Sequence, residues 1–224
     1  MKRVVVPELL DSDAGTAKEV RGSLSDLRMF NRRFGGVRTM REVLASIAQR
    51  CGLTRLAWLD VAGANGDMAT LAGESLLGEG VESQVVVLDR APTHMNGRHP
   101  GVAGDALALP FADNSFDVVA SSLFAHHLEP PELQGFLREG LRVARYAFVI
   151  HDLIRHPIHY ALALAGKPIY RSAITRHDAV ASVRRAYTVE EMRAMLQEAG
   201  VTQVEIRTFF LFRMGVIAWK PTTT

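Results

Sequence analysis

The sequence predicts an α/β fold: a parallel sheet covered by helices on both faces. Three observations predict it. Apolar runs of strand length alternate with segments of helical period, and one run, Leu56-Ala57-Trp58-Leu59, leads through Asp60 into the small-residue turn Ala62-Gly63-Ala64-Asn65-Gly66 that opens a helix. The last two apolar runs are separated by a link short enough for an antiparallel pair.

The spacing of Leu27, Phe30 and Phe34 predicts a helix over residues 25–34 that stops at Gly35-Gly36, giving an N-terminal helical arm over residues 1–36. A second helix over residues 37–51 stops at Gly52 and precedes the first strand. Beyond the turn, a helix over residues 66–77 leads to a strand at residues 84–88. Further buried strands are expected at residues 116–120 and 146–150. Between these two, Leu133, Phe136, Leu137 and Leu141 fall on one side of a helix over residues 132–143, the usual crossover between parallel strands. Thr188, followed by Glu190 and Glu191, reads as a helix N-cap with acids in its first turn, and Gly200 closes that helix. The runs over residues 204–212 and 216–219, linked by Arg213-Met214-Gly215, complete the main domain, residues 37–220. Residues 152–187 are too long for a simple loop and form an insertion whose apolar part, residues 157–170, reads as a cap or core helix.

Composition removes several function classes. With 26 Lys and Arg against 24 Asp and Glu, the chain lacks the cationic excess that tracks phosphates, so no nucleic-acid partner is expected. A single cysteine, Cys51, forms no internal disulfide and supplies no cysteine cluster for metal, which favours a reducing, cytoplasmic setting. Residues 1–11 lack the apolar core of a signal peptide, and residues 157–170 fall short of the roughly 20 apolar residues of a span, so no membrane partner is expected either. Residues 221–224 read as a frayed tail.

The turn after the first strand lets backbone N–H groups approach a ligand, and the helix start adds partial positive charge. About 20 residues later Asp89 ends the second strand, where a carboxylate accepts two hydrogen bonds from a ribose diol; Arg90 follows it. The chain then gives Gly104-Asp105-Ala106 and Leu109-Pro110-Phe111-Ala112-Asp113-Asn114-Ser115-Phe116-Asp117-Val118-Val119. These blocks, in this order and spacing, resemble the class I S-adenosylmethionine-dependent methyltransferases, particularly the ubiquinone/menaquinone-type and small-molecule branch, from about Arg38 onward.

The resemblance implies a Rossmann-like, mostly parallel seven-stranded sheet with an antiparallel last strand, and S-adenosyl-L-methionine as cofactor. It implies that Asp60 lies near the methionine ammonium, that Ala62, Gly63 and Gly66 are backbone-contact positions, and that Asp105 and Ala106 meet the adenine edge. It further implies that Ser121 and Ser122 contribute to the methionine portion and that the insertion caps the substrate; an extra packing helix is the alternative reading of the insertion. Ala64 departs from the family's Gly-x-Gly-x-Gly turn, and its Cβ is tolerated if the backbone there keeps φ negative.

Methyl transfer from a sulfonium is an in-line displacement, so the protein mainly positions a nucleophile and removes its proton if needed. Ligands of such sheets sit beyond the C-terminal strand ends. There His151, with Asp152 as polar partner, is the expected base or substrate orienter, although neighbours on one strand point to opposite faces. His127, from the pair His126-His127, and His177, in the Arg176-His177-Asp178 cluster, complete the catalytic candidates. His156 and His159 are spaced for one helix face but lack a carboxylate or cysteine to complete a set, so no metal is assigned.

The expected function is methyl transfer to a small-molecule acceptor, at the oxygen of a phenolic or polyketide-like compound of secondary metabolism, with carbon methylation next. The absence of Asn-Pro-Pro-Tyr after the fourth strand argues against amide or adenine nitrogen. A nicotinamide-dependent oxidoreductase is the rival from another class, because Gly63-x-x-Gly66-x-x-Ala69 followed by Asp89 mimics a dinucleotide fingerprint; a non-catalytic methyltransferase-like protein is the third reading. The run Phe209-Phe210-Leu211-Phe212 reads as buried strand, with an acceptor pocket or a homodimer face as its alternative uses.

Overall fold

The computed structural model describes residues 1–12, 14–95 and 97–221. In chain order its elements are α1 (Ala17–Arg33), α2 (Gly36–Cys51), β1 (Arg55–Val61), α3 (Asp67–Leu77), β2 (Glu82–Asp89), β3 (Gly101–Ala103), β4 (Phe116–Ser122), α4 (Pro130–Val143), β5 (Ala144–Leu153), α5 (Pro157–Ala165), α6 (Ala173–Arg185), α7 (Val189–Glu198), β6 (Val204–Phe209) and β7 (Arg213–Trp219). The seven strands form one sheet in the order β3-β2-β1-β4-β5-β7-β6. Strands β1 to β5 pair in parallel, and β7 runs antiparallel to both of its neighbours, β5 and β6. The expected Rossmann-like sheet with its antiparallel last strand is therefore the one observed.

Alternation along the buried strands builds a core on each face. Leu59, Val61, Val119, Phe148 and Ile150 pack under α4 and α7, whereas Trp58, Val85, Val87, Val118 and Val149 pack under α2 and α3. Phe136 of α4 meets Phe148 edge-on at 4.9 Å, and Gly140 is what lets the helix approach, since a Cβ there would lie 2.6 Å from the Phe148 ring. Burying one such aromatic side chain contributes about 1.5–3 kcal/mol.

Three sequence expectations need correction. Helix α1 starts eight residues earlier than its apolar spacing suggests, because Thr16 and Glu19 form a reciprocal capping box. Residues 1–12 are an extended strap ending in a 3-10 turn, not part of a helical arm. The link between the last strands is residues 210–212 rather than Arg213-Met214-Gly215, which belongs to β7; Leu211 and Phe212 take φ of 57° and 55°, and Phe210 is exposed, so the aromatic run is not all buried strand. Of the two readings of residues 157–170, a cap or a core helix, the exposure of Ile158, Leu162 and Leu164 on α5 removes the core one. Residues 222–224 of the expected tail lie outside the described residues.

The strap matters for the site because it is pinned across the C-terminal ends of β4 and β5. Arg3 donates to the carboxylate of Glu129 at 3.0–3.1 Å and to the Arg185 carbonyl at 2.8 Å, with its guanidinium 4.4 Å from the Tyr187 ring centre. The Leu9 and Leu10 N–H groups both donate to the Asp178 carboxylate on α6. Helix α6 in turn packs on α1 and on the 3-10 turn Ala125–His127 that follows β4.

Candidate functional site

The turn after β1 is held in a conformation that its sequence resists. Ala62, Ala64 and Gly66 all have positive φ, 57°, 48° and 70°, so the condition of a negative φ under which a Cβ at Ala64 is tolerated without strain is not met. Each alanine in the left-handed region costs about 1–2 kcal/mol relative to the right-handed one. The backbone is kept there because the Ala64 N–H donates to the Asp89 carboxylate at 2.8 Å and Gly63 N–H donates to the Leu88 carbonyl at 3.2 Å. Gly63 is required on space alone, since a Cβ would fall 2.7 Å from Asp60 Oδ2 and 2.9 Å from Val87. Ala64→Gly is expected to stabilise the chain by about 0.5–1 kcal/mol, less than the full strain because glycine also gains freedom when unfolded, as read from a urea unfolding midpoint.

Asp60, at the end of β1, is fully buried and neither carboxylate oxygen has a hydrogen-bond partner. Burial, reinforced by the nearby Asp89 charge, pushes its pKa up to about 7. Asp89 ends β2 with its other oxygen accepting from the Ala91 N–H at 2.8 Å. Two carboxylates thus face one half-buried turn of backbone, one of them with all its acceptor capacity open. A bound cation such as an amino group answers that deficit, and a diol suits the remaining lone pairs of Asp89. The residues present therefore fit S-adenosylmethionine.

Of the remaining cofactor candidates, Ser121 is buried with an unpartnered hydroxyl at the end of β4, and Ser122 bonds His151. Asp105 is exposed and caps its own turn through the Leu107 N–H; Ala106 beside it is buried; Arg90 is exposed just beyond β2. Asp117 serves structure, taking the Ala57 N–H and Arg145. The sequence reading missed His99 and Met95, which roof the turn. His99 Nε2 lies 2.9 Å from Thr70 Oγ1, and Met95 and His99 line a cavity of about 10 Å³ with Ala64 and Asn65, room for about one water.

The expected His151 and Asp152 pair does not form. His151 is fully buried, with Nδ1 2.8 Å from Ser122 Oγ and Nε2 3.1 Å from Arg213 Nη1. The arginine donates to Nε2, so Nδ1 carries the proton and donates to the serine. Burial and then the Arg213 charge hold its pKa at about 3, and with both nitrogens engaged it ties β4 to β7 rather than offering a free base. His177 is likewise displaced from the site, half-exposed on α6 and bonded to its neighbour Asp178 at 2.8 Å.

Asp152 turns instead to His126. Its Oδ1 lies 2.7 Å from His126 Nδ1 and its Oδ2 accepts the His126 N–H at 2.9 Å, while His126 Nε2 faces Glu8 of the strap at 3.2 Å. Burial alone would depress the His126 pKa; Asp152 and then Glu8 reverse this and hold it at about 10. His127 sits beside it, with Nδ1 2.9 Å from Asp11 and Nε2 3.5 Å from Glu8. Adjacent His126-His127 and the acid in Pro7-Glu8 were visible signals, but their meeting across 118 residues was not.

Three comparisons bear on this geometry. A family model described as a methyltransferase domain matches residues 59–147, the stretch carrying the turn, Asp89 and β4. Two curated relatives, both named ubiquinone/menaquinone biosynthesis C-methyltransferase UbiE, match at similar levels. The protein from Dinoroseobacter shibae is 30% identical over 72% of this chain and 73% of its own length; that from Methylobacterium nodulans is 31% identical over 72% of each. Among solved structures, the plantazolicin methyltransferase BpumL in complex with SAH covers 96% of this chain and 95% of its own, with a TM-score of 0.68 at 13% identity. A SAM-dependent methyltransferase from Aquifex aeolicus covers 78% of this chain and 87% of its own, with a TM-score of 0.54 at 19% identity.

Proposed function

The chain belongs to the class I S-adenosylmethionine-dependent methyltransferases, and from that premise we propose that it methylates a ring carbon of a small hydroxylated aromatic of quinol type. The observation that carries the acceptor class is the relatives, both of which bear the name of a quinone-biosynthesis C-methyltransferase and share nearly three quarters of their length with this chain. The enzyme uses S-adenosylmethionine, so the nicotinamide reading of the turn falls away.

S-adenosylmethionine supplies a methyl group already activated on sulfur. The chain's part is to bind and position. Asp60 would neutralise the amino group of the methionine portion, Asp89 would take the ribose hydroxyls, and Asp105 with Ala106 would edge the adenine. Ser121 places an open hydroxyl at the end of β4, and the acceptor would enter between the ends of β4 and β5 under the strap and α6, the insertion acting as its cap. A hydroxylated ring suits this arrangement because, once its hydroxyl has lost its proton to solvent, the ortho carbon is nucleophilic. That carbon would take the methyl as the methyl–sulfur bond breaks and then release its own ring proton to solvent as aromaticity returns, leaving the enzyme mainly orientation to supply. Transfer to the oxygen of a phenolic or polyketide-like compound uses the same site and is told apart by its product. A cytoplasmic setting is supported by the lone cysteine.

Calorimetric titration with S-adenosylhomocysteine, with NADPH in parallel, tests the cofactor site. The homocysteine compound is expected to bind at micromolar strength or better, about −8 kcal/mol, with no heat from NADPH. Asp89→Ala should weaken it at least about tenfold, or 1.4 kcal/mol, and an unchanged affinity would remove the ribose assignment. With hydroquinone acceptors, a new aryl-methyl proton resonance supports carbon transfer, whereas a methoxy resonance replaces that reading with oxygen transfer.

A further inference from the structure

We propose that Glu8, His126 and His127 form a binding site for one divalent transition-metal ion of the zinc class, clipping the N-terminal strap to the turn after β4. Their donor atoms all lie within 4.8 Å of one another, the group of this kind found among the described residues. The finer distances are those of a coordination sphere. Glu8 Oε1 stands 3.2 Å from His126 Nε2 and 3.5 Å from His127 Nε2, and a tetrahedral ion with bonds of about 2.0–2.1 Å sets its ligand atoms about 3.3 Å apart.

The surroundings match as well. Each imidazole presents Nε2 inward while Nδ1 rests on a carboxylate, Asp152 for His126 at 2.7 Å and Asp11 for His127 at 2.9 Å. Metal-bound histidines carry this outer support because it fixes the tautomer and the ring orientation. Charge points the same way. Asp11 is partnered by Arg185 at 3.7 Å, and the buried Glu8 and Asp152 are two carboxylates around two imidazoles, which one divalent cation would balance on taking the place of the His126 Nε2 proton. Ser182 Oγ, 2.9 Å from Glu8 Oε1, steadies the carboxylate. His127 keeps some exposure, so a water completes the fourth position. His156 and His159 do not take part, since both rings stack on Phe212.

The test is metal content and affinity of the whole chain, measured by elemental analysis after Zn²⁺ loading and desalting and by chelator competition. About one equivalent per chain is expected. Glu8→Gln and His127→Ala should each weaken binding beyond the roughly 10–100-fold caused by outer-support changes, and Asp11→Asn should fall within that range. The His156→Ala/His159→Ala variant should bind as the parent does. Circular dichroism establishes that each variant is folded, and the Co²⁺-loaded parent, which needs no substitution, should show the intense visible bands of a tetrahedral site. A folded parent that retains no zinc, zinc that survives both Glu8→Gln and His127→Ala, or weak octahedral cobalt bands would overturn the assignment. An unmetallated, protonated His126 held between Glu8 and Asp152 would then be the state of the cluster.

Discussion

Asp60→Asn is expected to make the free protein more stable at pH 8 while depriving it of most of its affinity for S-adenosylhomocysteine. A carboxyl raised from 3.8 to about 7 disfavours the fold wherever the unfolded chain has released the proton and the native one has not. Below about pH 4 both states hold the proton and no penalty exists; it accumulates from there to pH 7 and is complete above, on the order of 4 kcal/mol. Asparagine removes the charge but leaves a buried amide without partners, so a net gain of about 1–3 kcal/mol is expected. For a chain of this size that is a rise of about 2–12 °C in melting temperature, readable by calorimetry at pH 8 and shrinking toward pH 4. Cofactor binding moves oppositely. Parent affinity should tighten as pH rises toward 7, because the ionised carboxylate is the form that meets an ammonium, and the variant should bind weakly with no such dependence. A parent whose affinity is flat between pH 5.5 and 8 would separate Asp60 from the amino group.

Asp152→Asn should have the largest destabilising effect of any single isosteric change around β4 and β5. The carboxylate is buried and accepts from the His126 ring, the His126 N–H and the Leu153 N–H. Burial would raise its pKa, but the His126 charge and these bonds bring it below the ordinary carboxylate value. Removing one member of such a buried pair costs about 3–5 kcal/mol, or about 6–20 °C in melting temperature. Two pH limits follow for the metal-free parent. The stabilisation from Asp152 is complete above its unfolded pKa near 4 and is lost as acid protonates it in the native state; that from His126 is complete below about pH 6.5 and fades as pH climbs through about 10. Equal melting temperatures for parent and variant at pH 7 would show that the pair contributes no stability.

What was legible in the sequence was whatever local chemistry writes. The turn residues Ala62 to Gly66, the strand-ending Asp89 and the helix stop at Gly52 each declare themselves within a few residues, and the structure places them as expected. The Thr16 and Glu19 capping box was equally written but was outweighed by apolar spacing that begins later. Strand β3 was missed because its three residues, Gly101–Ala103, are held in place by pairing with β2 rather than by any preference of their own. The partners of Asp152 and His151 were illegible for a different reason. Alternation along β5 says only that they face opposite ways; that one finds His126 and the other Ser122 and Arg213 depends on which loops and strands fold over each face.

The strand order also dictates when the molecule's parts can assemble. Strand β4 lies at the centre, and two pairings of the sheet are distant in the chain, with Trp58 of β1 opposite Val118 of β4 and Ile150 of β5 opposite Val216 of β7, whereas β1 and β2, and β6 and β7, find each other nearby. Closing a loop of roughly sixty residues carries an entropy that no contact offsets until β1 and β4 dock. Local units such as β1-α3-β2 and the β6-β7 hairpin are therefore expected to form before the two long-range seams, β5 with β7 and β1 with β4, and the cofactor turn lies at one end of the β1–β4 seam. Until the seam closes, the edges of β1 and β4 stay unpaired, and they are the surfaces through which two half-folded chains would join.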